Sequence, residues 1–256
     1  MNRNNLICLY TIARRESTRI FRIWVQTLVP PVITMTLYFV VFGTFIGSQL
    51  ASINGYTYMA FIAPGLIMMS IITNSYTNTV SSFFSTKFQK NIEELLVSPT
   101  PNWVIVLGFV SGGVIRGLSV GFLVSMVSLI FVRLSLYSVA YTVLFAFLTS
   151  FVFALAGMIN GIFAQKFDDI SIIPTFVITP LTYLGGVFYS ISLLPDFWRM
   201  ISKANPIIYM IDGFRYGFLG ISDMSVFTGL GMLVFFAVLL FSVNLYLLKK
   251  GIGIRT

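Results

Sequence analysis

Residues 226–248 read VFTGLGMLVFFAVLLFSVNLYLL, a run without a single charged side chain. An α-helix rises about 1.5 Å per residue and the hydrocarbon core of a bilayer is about 30 Å thick, so a run of this length can cross a membrane once. Similar apolar runs occupy 24–46, 58–83, 103–132, 138–163 and 172–188. The sequence therefore predicts an all-α membrane protein with six transmembrane helices.

The composition supports this class. Of 256 residues, 57% are hydrophobic and only 9% are charged, and the mean hydropathy is +0.92. This leaves too little polar surface to cover a soluble globule of the same size. The net charge of +8 could suit nucleic acid, but the basic residues lie at the chain ends and in short loops, so we predict no nucleic-acid partner. With one cysteine and no histidine, neither an internal disulfide nor a zinc site is expected.

The basic residues also predict the orientation. Several arginines precede the first span, and more basic residues follow the last, namely Arg3, Arg14, Arg15, Arg19 and Arg22 before it and Lys249, Lys250 and Arg255 after it. Six spans place both termini on one side of the membrane. Because positive charge concentrates on the inner side, that side is expected to be the cytoplasm.

Two segments outside the spans predict amphipathic helices. In 6–24, an apolar face formed by Leu6, Leu9, Tyr10, Ala13, Ile20, Phe21 and Trp24 lies opposite Arg15, Arg19 and Arg22. This pattern favours a helix along the cytoplasmic membrane surface over 1–23, and the alternative is a basic tail that only enforces topology.

The second segment is 85–99, where Thr86 and Gln89 form a candidate capping box. Its apolar stripe consists of Phe88, Ile92, Leu95 and Leu96, and its polar face includes Lys87, Lys90 and Glu94. Such a helix can be an interfacial turn, or it can dock into a groove on a soluble partner. Periodicity allows both.

The third span contains a charge near its middle. Arg116 is costly at that depth unless it is paired, reaches the interface or faces a polar cavity. It is therefore a candidate either for substrate contact or for structural pairing with backbone carbonyls of a neighbouring helix. Gly113, Gly117 and Gly121 recur beside it at every fourth residue, which predicts close packing of another helix.

Two other spans are irregular. The second carries an uncharged polar run that includes Asn74 and Asn78, which predicts either hydrogen bonding between helices or a water-lined path. The fifth contains Pro174 and Pro180, so it can be hinged or simply kinked. After it, 189–225 is too polar for another span and predicts two short helices at the outer face, with a possible dip into the bilayer.

Some chemistry is missing from the sequence. No G-x-x-x-x-G-K-[ST] phosphate loop is present, so a nucleotide site of that type is excluded. All eight acidic residues lie outside the predicted spans, with Glu16 assigned to the cytoplasmic surface, which counts against a proton- or ion-driven transporter. Without histidine, the hydroxyl-rich spans offer no ordinary general base, so an enzyme is not expected.

Several stretches of sequence, in order, resemble the permease subunits of type-2 ABC exporters, and the match to the inner-membrane permeases of that family is close. They are WVQTLVPPVITMTLYFVVFG at 24–43, FIAPGLIMMSIITNSY at 61–76, KNIEELLVSPTP at 90–101, FDDISIIPTFVITPLTYLGGVFYS at 167–190 and LLPDFWRMISKANPIIYMIDGFRYGFLG at 193–220. The resemblance covers nearly the whole chain. It implies a single permease domain over 1–256, ending in a cytoplasmic tail at 249–256, in a bacterial cytoplasmic membrane.

The resemblance also implies partners and a coupling site. Two copies of the permease are expected to pair with two separate ABC ATPase subunits, which would hold ATP and Mg²⁺, while this chain holds no cofactor. The loop between spans 2 and 3 is expected to contact the ATPase through Phe88, Ile92, Glu93, Glu94, Leu95, Leu96 and Pro99. The alternatives are a membrane partner that binds an ATPase without transporting anything, and a lipid scramblase. The transported compound is not predicted.

Overall fold

The computed structural model describes residues 3–47, 53 and 55–253. Over these ranges the chain is helical and forms no strand, apart from an isolated bridge between Ile53 and Tyr56. The all-α prediction is therefore confirmed for the described part of the chain. Residues 254–256 of the predicted tail, with Arg255, lie outside it.

Eleven α-helices follow in order within the described ranges. They are α1 (Arg3–Arg22), α2 (Trp24–Tyr38), α3 (Tyr58–Phe88), α4 (Asn91–Val97), α5 (Asn102–Phe131), α6 (Val139–Phe163), α7 (Asp169–Ile173), α8 (Thr179–Tyr183), α9 (Asp196–Ala204), α10 (Pro206–Leu219) and α11 (Val226–Lys250). A π-helical segment, Phe39–Ile46, continues α2, and a second, Pro174–Ile178, joins α7 to α8.

Five helices are long and apolar enough to cross a membrane: α2 with its π-helical continuation, α3, α5, α6 and α11. They correspond to five of the six predicted spans. The remaining predicted span, 172–188, begins within a broken helix that starts at Asp169 and ends at Tyr183. Its proline residues sit at the break, because Pro174 opens the π-helical segment and Pro180 lies in the first turn of α8.

Helix α3 lies at the centre of the molecule. In its most apolar window 89% of residues are buried, against 11% in the corresponding window of α11. It packs against α5, α6 and α10. The polar run of the second span is therefore enclosed by protein. Most of the surface of α11 faces away from the protein.

Helix α1 packs along α5 through Ile12, Glu16 and Ile20, and only Ile20 of these belongs to the predicted apolar face. Leu6, Tyr10 and Phe21 of that face are exposed, as is Trp24, which begins α2. The reason lies on α5, where Gly108 and Gly112 let α1 approach closely. A Cβ atom at Gly108 would lie 2.8 Å from the Ile12 Cβ, and one at Gly112 would lie 2.8 Å from the Glu16 Cβ.

Candidate functional site

The short helix α4 follows directly from the end of α3. Here α3 runs on to Phe88, and the chain then turns through Lys90, whose φ of 61° is the left-handed conformation that non-glycine residues rarely adopt. The helix predicted over 85–99 therefore begins at Asn91 instead of 85. The predicted capping box is wrong, because the Thr86 hydroxyl lies inside α3 and donates to the Ser82 carbonyl at 2.9 Å.

One face of α4 is anchored in the protein. Ile92 is buried in an apolar cluster that includes Phe83 and Phe109, and Leu95 and Leu96 pack partly against the same cluster. The opposite face is open, since Glu93 and Glu94 are exposed and Val97 is 88% exposed. The helix therefore presents two carboxylates and an apolar side chain on a fixed support.

Grooves lie on both sides of α4. One, of about 460 Å³, is lined by residues of α3, α4 and the end of α6, including Phe88, Glu93 and Phe163. The other, of about 520 Å³, lies between α4 and the end of α11, and its lining includes Val97 and Lys249. Exposed aromatic side chains are enriched at surfaces that contact another protein, and acidic side chains at the rim of such a surface can pair with basic groups of the partner.

The predicted coupling residues are brought together at this surface, with different exposures. Phe88 belongs to α3 and remains exposed, with its ring centroid 5.1 Å from that of Phe167. Pro99 is exposed in the connection to α5, whereas Ile92 points inward. The open residues Phe88, Glu93 and Glu94 can touch a partner directly, and Ile92 holds α4 in place.

Lys87, predicted on the polar face of the 85–99 segment, makes a contact at this surface that was not predicted. Its ammonium group donates to the Ile162 carbonyl at 2.6 Å and to the Ala164 carbonyl at 2.8 Å. These carbonyls lie at the end of α6, where backbone acceptors lack partners within the helix. A lysine near the end of α3 therefore caps α6, and the sequence gives no signal of a contact across 75 positions.

Asp169 orders the connection between α6 and α7. Its Oδ2 accepts hydrogen bonds from the backbone N–H groups of Gln165 at 2.8 Å and Lys166 at 3.0 Å. These two donors hold the pKa of the Asp169 carboxyl below its usual value. Gln165 also lines the groove beside α4, so Asp169 helps to fix one wall of that groove.

A buried polar network joins α1 to α3. Glu16 is 1% exposed, and its carboxylate accepts from Ser82 at 2.6 Å, from Arg19 at 3.0 Å and from Arg15 at 3.3 Å. Arg19 also donates to the Asn78 side-chain oxygen at 3.1 Å. The prediction that Glu16 lies at the cytoplasmic surface misses this burial, because a charged residue on a surface helix reads as solvated unless its packing partner is known.

The other polar residues predicted within spans bond to groups of the helix bundle. Arg116 is half-buried and donates to the Thr27 carbonyl at 3.4 Å, which ties α5 to the backbone of α2. Asn74 donates to the Ser70 carbonyl one turn earlier in α3 at 3.0 Å. Both Asn74 and Asn78 are buried. The structure thus places these side chains against helices of the bundle.

The glycine stripe of α5 faces α3. A Cβ atom at Gly113 would lie 2.8 Å from both the Ser75 carbonyl oxygen and the Ala154 Cβ. One at Gly117 would meet the Ser75 side chain, and one at Gly121 would lie 2.6 Å from the Ile71 Cγ1. These glycines therefore let two long helices approach closely.

A second buried charge lies far from α4. Arg215 of α10 is 3% exposed, donates to the Gly186 carbonyl at 2.6 Å and places its guanidinium carbon 3.9 Å from the centroid of the Phe61 ring. Asp212, one turn earlier, accepts from Ser222 at 2.6 Å and from the backbone N–H of Asp223 at 3.0 Å. Both residues fall in the predicted outer segment 189–225, whose sequence does not indicate this cluster.

Residues 8–219 match the family model described as ABC-2 type transporter, so the chain belongs to the ABC-2 type transporter family. The predicted resemblance is confirmed. The chain is similar to the Inner membrane transport permease YadH of Escherichia coli (strain K12), with 57% identity over 250 residues and 98% of each chain covered. It is also similar to Nodulation protein J of Rhizobium leguminosarum bv. viciae, with 26% identity over 209 residues and 81% of each chain covered.

Proposed function

We propose that this chain is the transmembrane permease subunit of an ATP-driven exporter in the bacterial inner membrane. The name of the Escherichia coli relative, Inner membrane transport permease YadH, supports both the activity and the location. In this proposal residues 172–188, which include most of the broken helix, form the fifth of six spans, so both termini face the cytoplasm. Residues 1–256 then form one permease domain, with α1 at the inner membrane surface and α9 and α10 at the outer face.

The observation that carries the proposal is that α4 is attached to the protein on one face and open on the other. Ile92 fixes the helix to the protein body, while Glu93, Glu94 and Val97 are open between two grooves. A transport subunit without a phosphate loop of its own needs a separate motor, and this surface has the shape and chemistry to receive one. We infer that it docks an ABC ATPase subunit, and that two permease chains assemble with two ATPases that hold ATP and Mg²⁺.

The geometry supports a route for the movement. The ATPases close on ATP and push on α4, which the turn at Lys90 joins directly to α3. Because α3 packs against α5, α6 and α10, a displacement of its end changes the packing of several helices together. Two permease chains that respond in this way open a path away from the cytoplasm.

The test is charge reversal at the docking surface. Glu93→Lys with Glu94→Lys should abolish ATP-dependent transport by vesicles that contain the permease and its ABC ATPase, because the new positive charges repel the basic groups of the ATPase that pair with the two carboxylates. The matched control is Asp196→Lys, an exposed acidic residue on α9 far from α4 in sequence. Membrane insertion of both variants is checked by their yield as folded protein in detergent.

The proposal predicts that the double variant inserts normally and loses both ATPase binding and ATP-driven transport, while the control keeps them. Unchanged ATPase binding in the double variant contradicts the docking site. If the wild-type assembly hydrolyses ATP but moves no solute across a broad panel, the chain is a non-transporting partner. Lipid movement without ATP would instead identify a scramblase.

A further inference from the structure

Helix α1 carries a feature that the proposed transport function does not use. An open groove of about 650 Å³ runs along the exposed side of α1, away from the face that packs on α5. Four arginines line it, together with two threonine hydroxyls, namely Arg14, Arg15, Arg19, Arg22, Thr11 and Thr18. The groove is therefore rich in hydrogen-bond donors and positive charge.

The charge in this groove is not balanced by the protein. Glu16 is the acidic partner of Arg15 and Arg19, and it already accepts a third bond from Ser82. Across the described part of the chain, Arg14 and Arg22 have no carboxylate within ion-pair distance. The Arg19 side chain is 37% exposed, and its guanidinium lies within electrostatic range of Arg116. The groove therefore carries more positive charge than the single Glu16 carboxylate offsets.

The neighbouring face of α1 identifies the kind of anion. Leu6, Tyr10 and Phe21 of α1, with Trp24 at the start of α2, are exposed beside the groove and form an apolar strip. An amphipathic helix with such a strip lies in the membrane interface with its apolar side chains toward the acyl region. A ligand that contacts both the arginine groove and the apolar strip has an anionic head group and hydrocarbon chains.

We propose that the arginine groove of α1 binds the phosphate of an anionic phospholipid. Arg15 and Arg19 are held in place by Glu16, so their guanidinium groups are oriented before the ligand arrives. Arg14 and Arg22 flank them and are free to close on the phosphate, which guanidinium groups bind through paired N–H donors. Under the proposed orientation this lipid belongs to the cytoplasmic leaflet, but binding requires neither the ATPase nor transport.

The test measures lipid retention by native mass spectrometry on the full chain purified in neutral detergent. Phosphatidylglycerol and phosphatidylcholine are titrated separately. The variant Arg14→Gln with Arg22→Gln removes two groove charges and leaves the Glu16 network intact. The matched control is Lys249→Gln with Lys250→Gln, which removes two exposed charges at the end of α11.

Wild-type protein should retain phosphatidylglycerol in preference to phosphatidylcholine. The arginine variant should bind phosphatidylglycerol about 10- to 30-fold more weakly, and the lysine control should stay within about twofold of wild type. Equal losses in the two variants would overturn the proposal, since they would reflect general surface charge. Displacement of the lipid by an equal concentration of inorganic phosphate or glycerol phosphate would also overturn it, because the ligand would then be a soluble phosphate.

Discussion

The Ser82 hydroxyl of α3 donates a 2.6 Å hydrogen bond to the Glu16 carboxylate of α1, across 66 positions of sequence. This bond attaches α1 to the central helix as well as to α5. Ser82 lies two turns before Phe88, where α3 ends and the chain turns into α4. Helices α1 and α4 are therefore both connected to the same end of α3.

Glu16→Gln should lower the free energy of unfolding by about 2 kcal/mol, because the Ser82 hydroxyl and the Arg15 and Arg19 guanidinium groups lose a buried, charged acceptor. Denaturant or thermal unfolding in detergent measures the change. Glu93→Gln, which alters an exposed carboxylate, is the control and should stay within about 0.5 kcal/mol of wild type. Equal stability of the two variants would show that the network contributes nothing.

Lys87→Met should loosen the end of α6, since methionine keeps the length of the side chain but cannot donate to Ile162 and Ala164. We expect a loss of about 1–2 kcal/mol and faster amide hydrogen exchange over 160–166. Lys90→Met is the control, because Lys90 is exposed and has the same charge. The same exchange rates in both variants would contradict a capping role for Lys87.

Gly113→Ala and Gly231→Ala should change stability in opposite directions. The new methyl at 113 would press on the Ser75 backbone and on Ala154, which costs about 1–3 kcal/mol. At 231 a Cβ meets nothing within 4 Å, so alanine should stabilise α11 by about 0.5–1 kcal/mol through its helix propensity. Thermal unfolding of the two variants tests the pair. A stable Gly113→Ala protein would show that α3 and α5 can move apart at no cost.

Arg215→Lys should cost about 2 kcal/mol, because one ammonium group cannot reproduce the forked contacts of the guanidinium with Gly186 and the Phe61 carbonyl. It also weakens the cation–π contact with the Phe61 ring. The control is Arg133→Lys on an exposed loop, which should leave unfolding unchanged. If both substitutions are neutral, positive charge alone is sufficient at position 215.

The long helices could be predicted from the sequence because their signal is local. An uncharged run such as 226–248 needs only its own residues to indicate a span, and the helix observed there is Val226–Lys250. The start of α4 could not be predicted in this way. The Phe83 and Phe84 side chains are buried and keep α3 helical beyond the predicted end of its span, and no residue type signals the left-handed turn at Lys90.

The polar contacts were missed because their partners are distant in sequence. Glu16 is buried since Gly112 leaves space for it on α5, and Arg215 is buried since Gly186 and Phe61 supply a carbonyl and a ring. Neither relationship produces a periodic pattern. The residues of the candidate docking surface, such as Glu93 and Glu94, could be proposed because they fall within one short amphipathic segment.

Helix α3 has 31 residues, so it is about 46 Å long. Phe61, which holds Arg215, lies near its first turn, and Ser82, which holds Glu16, lies near its last. Because α3 is attached to other helices near both of its ends, a displacement at one end is transmitted along the helix. Pro64 lacks a backbone N–H, so α3 bends most easily there. Pro64 lies only three residues from Phe61, which contacts Arg215. A displacement applied at the α4 end would therefore travel along almost the whole of α3 before the helix can bend at Pro64.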